Sequence, residues 1–183
     1  AGTLETIGHT RPQASGPSDG LSRVEVRGEW LYVDGEAFLV KGVGYSPYRP
    51  GQVPWSNGTV SLEVMADDVA KIREAGFNTI RTWSPLSPEQ LALAKQHGLM
   101  VLQGIWVDPK GNFASETFQR MVQEVLQREM ERAKAADNIL LFVVGNELSP
   151  EHVFTTGLER TEALLRTAAH TVKGIDASRL VSS

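Results

Sequence analysis

Hydrophobic and polar residues alternate with a period of two near the start of the organised part of the chain. The segment VEVRGEWLYVDGEAFLVKGVGY, residues 24–45, alternates on both sides of Asp34-Gly35. This dipeptide readily adopts the positive φ angles of a tight hairpin turn. The pattern therefore predicts a β-hairpin that leads into a third extended segment.

After residue 60 the pattern changes to helices that alternate with short apolar strands. Apolar residues three and four positions apart mark one face of each helix, and Ser61 and Ser87 are candidate N-caps. Pro88 suits the first position of the second helix, and Gly76 and Gly98 are suited to end the first two helices. The predicted helices cover residues 61–76, 87–98, 115–136 and 157–173, and the predicted strands are FNTIRTW, LMVLQGIWV, NILLFVVGNE and the beginning SRLVSS.

Apolar strands that alternate with helices predict an α/β fold with a parallel sheet covered by helices. An open doubly wound sheet would show a glycine-rich phosphate-binding turn after its first strand, and GVGYSPYRPG does not match that fingerprint. We therefore favour the (β/α)8 TIM-barrel type. The chain supplies about four βα units after the hairpin, whereas a complete barrel has eight units in about 250 residues, so the sequence is expected to stop near the middle of a barrel.

Composition excludes several classes of function. The chain has 183 residues, a net charge of -4 and no cysteine, so neither a basic nucleic-acid surface nor a disulfide framework is expected. No apolar stretch is long enough to span a bilayer. The four histidines are scattered, and no metal or other cofactor is predicted. Residues 1–22 are rich in Gly, Ser, Pro and Thr and predict a flexible leader or linker, which leaves 23–183 as the partial barrel domain.

Polar and aromatic residues collect where the predicted strands end. In a barrel the ligand face lies at the carboxyl ends of the strands. Aromatic rings, an arginine, an amide and carboxylates suit a sugar, whose C–H faces stack on rings and whose hydroxyl groups need donors and acceptors. The candidate residues are Tyr45 after the first barrel strand, Arg81 and Trp83 after the second, Trp106 and Asp108 after the third, and Asn146 and Glu147 after the fourth.

Simpler structural roles are open for most of these candidates. Arg81 would also suit an ion pair at the end of the sheet, and Trp83 and Trp106 would also suit packing. Asp108 precedes a proline and a glycine, a context typical of a turn residue. An apolar strand that ends in Gly-Asn-Glu is uncommon, so Glu147 is the strongest candidate for chemistry.

The segments FLVKGVGYSPY, DDVAKIREAGFNTIRTWSP, AKQHGLMVLQGIWV and NILLFVVGNELSP, in this order and spacing, resemble the amino-terminal half of a known catalytic barrel. It is the barrel of the retaining glycoside hydrolases of clan A. The similarity is greatest to family 2, the β-galactosidase, β-glucuronidase and β-mannosidase group, and family 72 β-1,3-glucanosyltransferases are also similar. The resemblance covers residues from Trp30 to Ser183.

The resemblance implies roles for particular residues. Glu147 matches the general acid/base of the clan, Asn146 matches the amide that binds the sugar 2-hydroxyl, and Arg81 matches the arginine that supports the nucleophile. The clan's nucleophile is a glutamate at the end of the seventh strand, which has no counterpart in this sequence. The chain is therefore expected to be an incomplete, inactive part of an enzyme that hydrolyses β-linked oligosaccharides or polysaccharides, in need of a carboxy-terminal half or a completing subunit.

Two other functions remain open at this level. Transglycosylation would use a sugar hydroxyl in place of water, and a noncatalytic sugar-binding or assembly module would keep the contacts without turnover. The leader and the habits of the family favour an extracytoplasmic location, either periplasmic or secreted.

Overall fold

The computed structural model describes residues 23–52 and 59–183, which form two β-sheets and a layer of helices. The predicted leader over residues 1–22, with His9, lies outside the described residues. One sheet has three antiparallel strands and the other has five parallel strands. The α/β prediction and the change of pattern after residue 60 are both confirmed.

The antiparallel sheet contains the predicted hairpin. Strands β2 (Trp30–Val33) and β3 (Glu36–Phe38) pair across Asp34 and Gly35. These two turn residues have φ angles of 53° and 86°, the positive values that the Asp-Gly dipeptide predicts. An additional strand, β1 (Val24–Arg27), pairs with the other side of β2. The first half of the alternating segment therefore contributes two strands instead of one.

The parallel sheet follows the chain in simple order. Its strands are β4 (Gly42–Gly44), β5 (Thr79–Arg81), β6 (Met100–Ile105), β7 (Ile139–Val144) and β8 (Val181–Ser182). Each pairs with the next, so the spatial order equals the sequence order. In a doubly wound sheet the spatial order of the strands reverses at a switch point, so that it differs from the order in the sequence. No reversal occurs among the described strands, which confirms the barrel type with four complete βα units and a fifth strand.

Local signals explain where the helices begin. The helices are α1 (Leu62–Glu74), α2 (Pro88–Gln96), α3 (Glu116–Ala133), α4 (Pro150–Thr156) and α5 (Leu158–Ile175). The Ser87 side chain accepts from the Gln90 backbone N–H while the Gln90 side chain accepts from the Ser87 N–H, a reciprocal capping box. Ser61 and Ser115 cap α1 and α3 by one hydrogen bond each, which the serine side chain accepts from a backbone N–H of the first turn. The sequence pattern did not predict α4.

The hydrophobic core lies between the parallel sheet and its helices. One face of the sheet contributes Ile80, Val101, Ile105, Phe142 and Val144, and the helices contribute Met65, Val69, Leu91, Leu126 and Val172. Because side chains alternate across a strand, Arg81 of β5 belongs to the face opposite Ile80. The helices thus fix the strands whose carboxyl ends carry the candidate residues. Across residues 23–52 and 59–183, no helix is long and apolar enough to cross a membrane.

Candidate active site

Three of the predicted site residues meet at the carboxyl ends of β5 and β7. The Arg81 guanidinium donates a hydrogen bond to the Asn146 Oδ1 atom. The same guanidinium lies over the Trp83 ring, 4.9 Å from the ring centroid. The Asn146 Nδ2 atom lies 3.5 Å from the Trp83 carbonyl oxygen. Arg81, Trp83 and Asn146 therefore form one connected group, although 65 residues separate the first from the last.

Asn146 and Glu147 lie in opposite environments although they are adjacent in the chain. The Asn146 side chain is 3% exposed, whereas Glu147 is exposed. The backbone turns sharply here: Gly145 has a φ angle of 78° and Glu147 one of 49°. A glutamate in the left-handed region is uncommon and costs on the order of 1 kcal/mol or more, so its surroundings must hold it there. The turn thus leaves the amide buried in the protein and the carboxylate at the surface.

Glycines at two strand positions make room for the backbone and ring around this group. A Cβ atom on Gly44 of β4 would lie 3.4 Å from the Trp83 ring. A Cβ atom on Gly104 of β6 would lie 2.7 Å from the Trp83 carbonyl oxygen and would overlap the carbonyl oxygen of Thr82. The close approach at Gly104 requires glycine, whereas a Cβ atom on Gly44 would be in ordinary van der Waals contact with the ring. Trp83 therefore lies between β4 and β6 and is partly buried.

Trp106 lies apart from this group, at the end of β6. It directly follows Ile105 and is 42% exposed. Its position on the same edge of the sheet as Asn146 agrees with the predicted ligand face.

Two further predicted residues stabilise loops. The buried Tyr45 side chain donates its hydroxyl hydrogen to Asp68 of α1 at 3.0 Å, and Arg49 donates to both oxygens of that carboxylate at 2.8 Å. Asp108 accepts from the Lys110 backbone N–H at 2.9 Å, as a turn residue does. The polar group of Tyr45 thus faces α1, and neither residue joins the group around Asn146.

Tyr45 gives a testable dependence of stability on pH. Burial, reinforced by Asp68, raises the pKa of Tyr45 well above its ordinary value of 10.0. The folded protein therefore retains a proton that the unfolded chain releases above about pH 10, so the free energy of unfolding falls as the pH rises further. Tyr45→Phe should lower this free energy by about 1 kcal/mol at neutral pH and reduce its alkaline decline. Urea unfolding between pH 8 and 12 measures both effects.

Tyr48→Phe is the matched control because the Tyr48 hydroxyl pairs with Ser84, at 2.9 Å, and not with a carboxylate. If the free energy of unfolding falls above about pH 10 as steeply in Tyr45→Phe as in the unchanged protein, Tyr45 does not cause the pH dependence.

The sequence pattern missed one residue close to this region, His152 on α4. Its Nε2 atom hydrogen-bonds to the Gly111 carbonyl oxygen, and its ring packs edge-on against Phe113 with centroids 5.1 Å apart. The available signal was Ser149-Pro150, a cap followed by a proline at the first helical position. Seven residues are too few for a helical period to show.

Among the residues that the structure describes, no group of three or more His, Asp or Glu side chains is arranged to hold a metal ion. At the end of β7 an exposed carboxylate directly follows a buried amide, and this amide is bonded to a guanidinium that lies over the Trp83 ring. Such a set suits proton transfer to a polar, ring-shaped ligand.

Comparison with known proteins bears on this interpretation. A family model described as "Glycosyl hydrolases family 2, TIM barrel domain" matches residues 24–183. The chain is 26% identical over 140 residues to a β-galactosidase of Psychromonas ingrahamii, which covers 73% of this chain and 13% of the relative. It is 24% identical over 135 residues to a β-galactosidase of Lactococcus lactis, covering 70% and 13%. The chain thus spans about an eighth of the length of these curated relatives.

Solved structures share the fold. The β-glucuronidase of Parabacteroides merdae superposes with a TM-score of 0.74 at 16% identity, covering 87% of this chain and 20% of that one. A β-glucuronidase of Dictyoglomus thermophilum gives a TM-score of 0.72 at 20% identity, covering 88% and 28%. At these identities the likeness concerns the fold alone.

Proposed function

The chain belongs to glycosyl hydrolase family 2, whose TIM barrel domain it carries over residues 24–183, and on this premise we propose that it supplies the acid/base part of a retaining β-glycosidase site. The observation that carries the proposal is the Asn146-Glu147 pair at the end of β7. Its amide is buried and bonded to Arg81 while its carboxylate is exposed.

Glu147 acts as the general acid and then as the general base. In the first step its proton moves to the glycosidic oxygen as the bond from that oxygen to the anomeric carbon breaks. A second carboxylate, about 5 Å away, attacks the anomeric carbon and forms a covalent glycosyl-enzyme. In the second step Glu147 takes a proton from water, whose oxygen displaces the carboxylate. We propose that this nucleophile comes from a strand outside the five described parallel strands.

Asn146 orients the sugar without taking part in proton transfer. Its Oδ1 atom accepts from Arg81, which fixes which end of the amide carries the hydrogens. The Nδ2 group has two hydrogens, and the Trp83 carbonyl oxygen at 3.5 Å engages at most one of them. The second Nδ2 hydrogen is the one proposed to bind the 2-hydroxyl group of the sugar. Arg81 contributes through Asn146 and supports the site from the protein side.

The proposed substrate is a β-linked glycoside. The relatives are named β-galactosidases and β-glucuronidases, and these names make a β-galactoside and a β-glucuronide the first substrates to examine. Trp83 and Trp106 are the proposed stacking surfaces. Tyr45 and Asp108 would contribute by holding the loops after β4 and β6.

The stereochemistry of the product tests the proposal. The protein, as its source produces it, is incubated with aryl β-galactoside, β-glucuronide, β-mannoside and β-glucoside, and the first sugar released is followed by proton NMR before it mutarotates. Two displacements at the anomeric carbon should give the β-anomer first. A first-formed α-anomer would contradict the retaining mechanism, and the absence of turnover on every β-glycoside would favour a binding module.

A sugar acceptor added to the same reaction separates hydrolysis from transfer. We expect free sugar as the main product. A disaccharide as the main product at millimolar acceptor would instead identify a transglycosylase.

A further inference from the structure

We propose that His152 is a positioning residue for Glu147: its hydrogen bond to Gly111 fastens helix α4 to the loop after β6 and thereby holds the acid/base carboxylate in its turn. The inference rests on the proposed function of Glu147. It concerns a residue that does not itself contact the sugar.

The conformation of Glu147 needs support from its surroundings. Its φ angle of 49° lies in the left-handed region, which disfavours side chains larger than that of glycine. Such a conformation persists only where contacts on both sides of it leave no alternative. A relaxed backbone would redirect the carboxylate, and proton transfer requires it within hydrogen-bond reach of the glycosidic oxygen.

Support on the amino-terminal side comes from the sheet. The Gly145 backbone N–H donates to the Ile105 carbonyl oxygen at 3.3 Å, and Asn146 is bonded to Arg81. These contacts fix the chain up to the residue before Glu147. They do not fix the direction in which it leaves.

Support on the carboxyl-terminal side comes from α4. Ser149 caps this helix by accepting from the His152 backbone N–H at 3.4 Å. A helix of seven residues has little stability of its own. It therefore needs a tertiary contact, and His152 makes one.

The partners of His152 are rigid. The Gly111 carbonyl oxygen can only accept, so the Nε2 atom of His152 carries the hydrogen. Phe113, against which the ring packs, is fully buried, and its own carbonyl oxygen accepts from Gln119 of α3 at 2.8 Å. The loop after β6 thus connects α4 to the core through His152, which lies five residues after Glu147 in the chain.

The kinetic signature follows from this geometry. A misplaced general acid should slow cleavage of a poor leaving group, which must be protonated, far more than cleavage of an activated one such as dinitrophenolate. His152→Ala should lower kcat/KM about 10- to 100-fold for the poor leaving group and only a few-fold for the activated one. The affinity for the free sugar should not change, because His152 does not contact it.

Two amide variants isolate the hydrogen bond from effects on folding. His152→Gln places an N–H group near the position of Nε2 and should restore most of the activity. His152→Asn has the same chemistry on a shorter side chain that does not reach Gly111, and it should resemble His152→Ala. His170→Ala, which removes an exposed histidine from α5, is the control for loss of a ring elsewhere.

The experiment is performed on the full protein as its source produces it, with Glu147→Gln measured in parallel. If Glu147→Gln discriminates between the leaving groups but His152→Asn and His152→Gln behave alike, the role of His152 is refuted while that of Glu147 stands. If Glu147→Gln itself shows no dependence on the leaving group, the proposed function fails and the His152 proposal fails with it.

Discussion

Glu147→Gln should lower kcat/KM on a glycoside with a poor leaving group by about 10²- to 10⁴-fold, the contribution usual for general acid–base catalysis. Glutamine keeps the size of the side chain but has no proton to deliver to the glycosidic oxygen. Because Glu147 is exposed and the neighbouring amide is fixed by Arg81, the substitution should leave sugar affinity almost unchanged. Steady-state kinetics and a binding isotherm for the product sugar measure the two quantities.

The choice of substrate makes this experiment specific. An aryl glycoside with a highly acidic leaving group needs little protonation, so its first step should survive in Glu147→Gln. In Glu147→Ala, azide should enter the vacated space and release a β-glycosyl azide, because azide needs no general base. Glu159→Gln makes the same chemical change at an exposed position in the first turn of α5 and should have no effect. Full activity of Glu147→Gln on a poor leaving group would contradict the assignment.

Gly104→Ala should have the largest effect on stability, a loss of about 3 kcal/mol, at the upper end of the usual cost of overpacking. The added methyl group would lie 2.7 Å from the Trp83 carbonyl oxygen and 2.8 Å from the Thr82 carbonyl carbon. Both are backbone atoms of the neighbouring strand end, so no side-chain rotation relieves the overlap. Urea unfolding measures the loss.

In Gly104→Ala, the shift of the Thr82 and Trp83 backbone should also disturb the group formed by Arg81, Trp83 and Asn146. The Trp83 carbonyl oxygen faces Asn146, and Arg81 lies two residues before Trp83. Turnover by Gly104→Ala should therefore fall even under conditions where the protein is folded. Gly174→Ala in α5 is the matched control, because no atom beyond its chain neighbours and the backbone of its own helix lies within 4 Å of the added carbon, and it should gain about 0.5 to 1 kcal/mol. Equal unfolding midpoints for the unchanged protein and Gly104→Ala would refute the expectation.

Structural features that depend on residues close together in the chain could be predicted from the sequence. The Asp34-Gly35 turn and the Ser87 cap depend on neighbours within four positions, and both are present as expected. The order of the parallel strands also followed from the pattern, because alternating strands and helices leave few topologies. The position of Asn146 and Glu147 at the end of β7 could be predicted because the apolar run of that strand ends there.

Structural features that depend on the folded arrangement of distant segments could not be predicted from the sequence. Tyr45 turns to Asp68, 23 positions later, and nothing near Tyr45 in the sequence signals that partner. Glutamate gives no indication of a positive φ angle, so the turn at Glu147 could be found only in the structure. The contact between His152 and Gly111 spans 41 positions and depends on a helix shorter than two helical periods. The contacts of Tyr45 and His152 each join segments that lie far apart in the sequence.

The order of the parallel sheet also bears on how the protein is made. Because β4 to β8 pair strictly in sequence order, each strand that leaves the ribosome finds its partner already synthesised. Assembly from the amino terminus would then proceed by addition of one βα unit at a time. One edge of the described parallel sheet would stay at β4, and the other exposed edge would move to each newly added strand. That exposed strand edge is where a nascent chain would associate with others. Pauses in translation after a complete βα unit should therefore favour soluble product, and pauses just after a strand should favour aggregation.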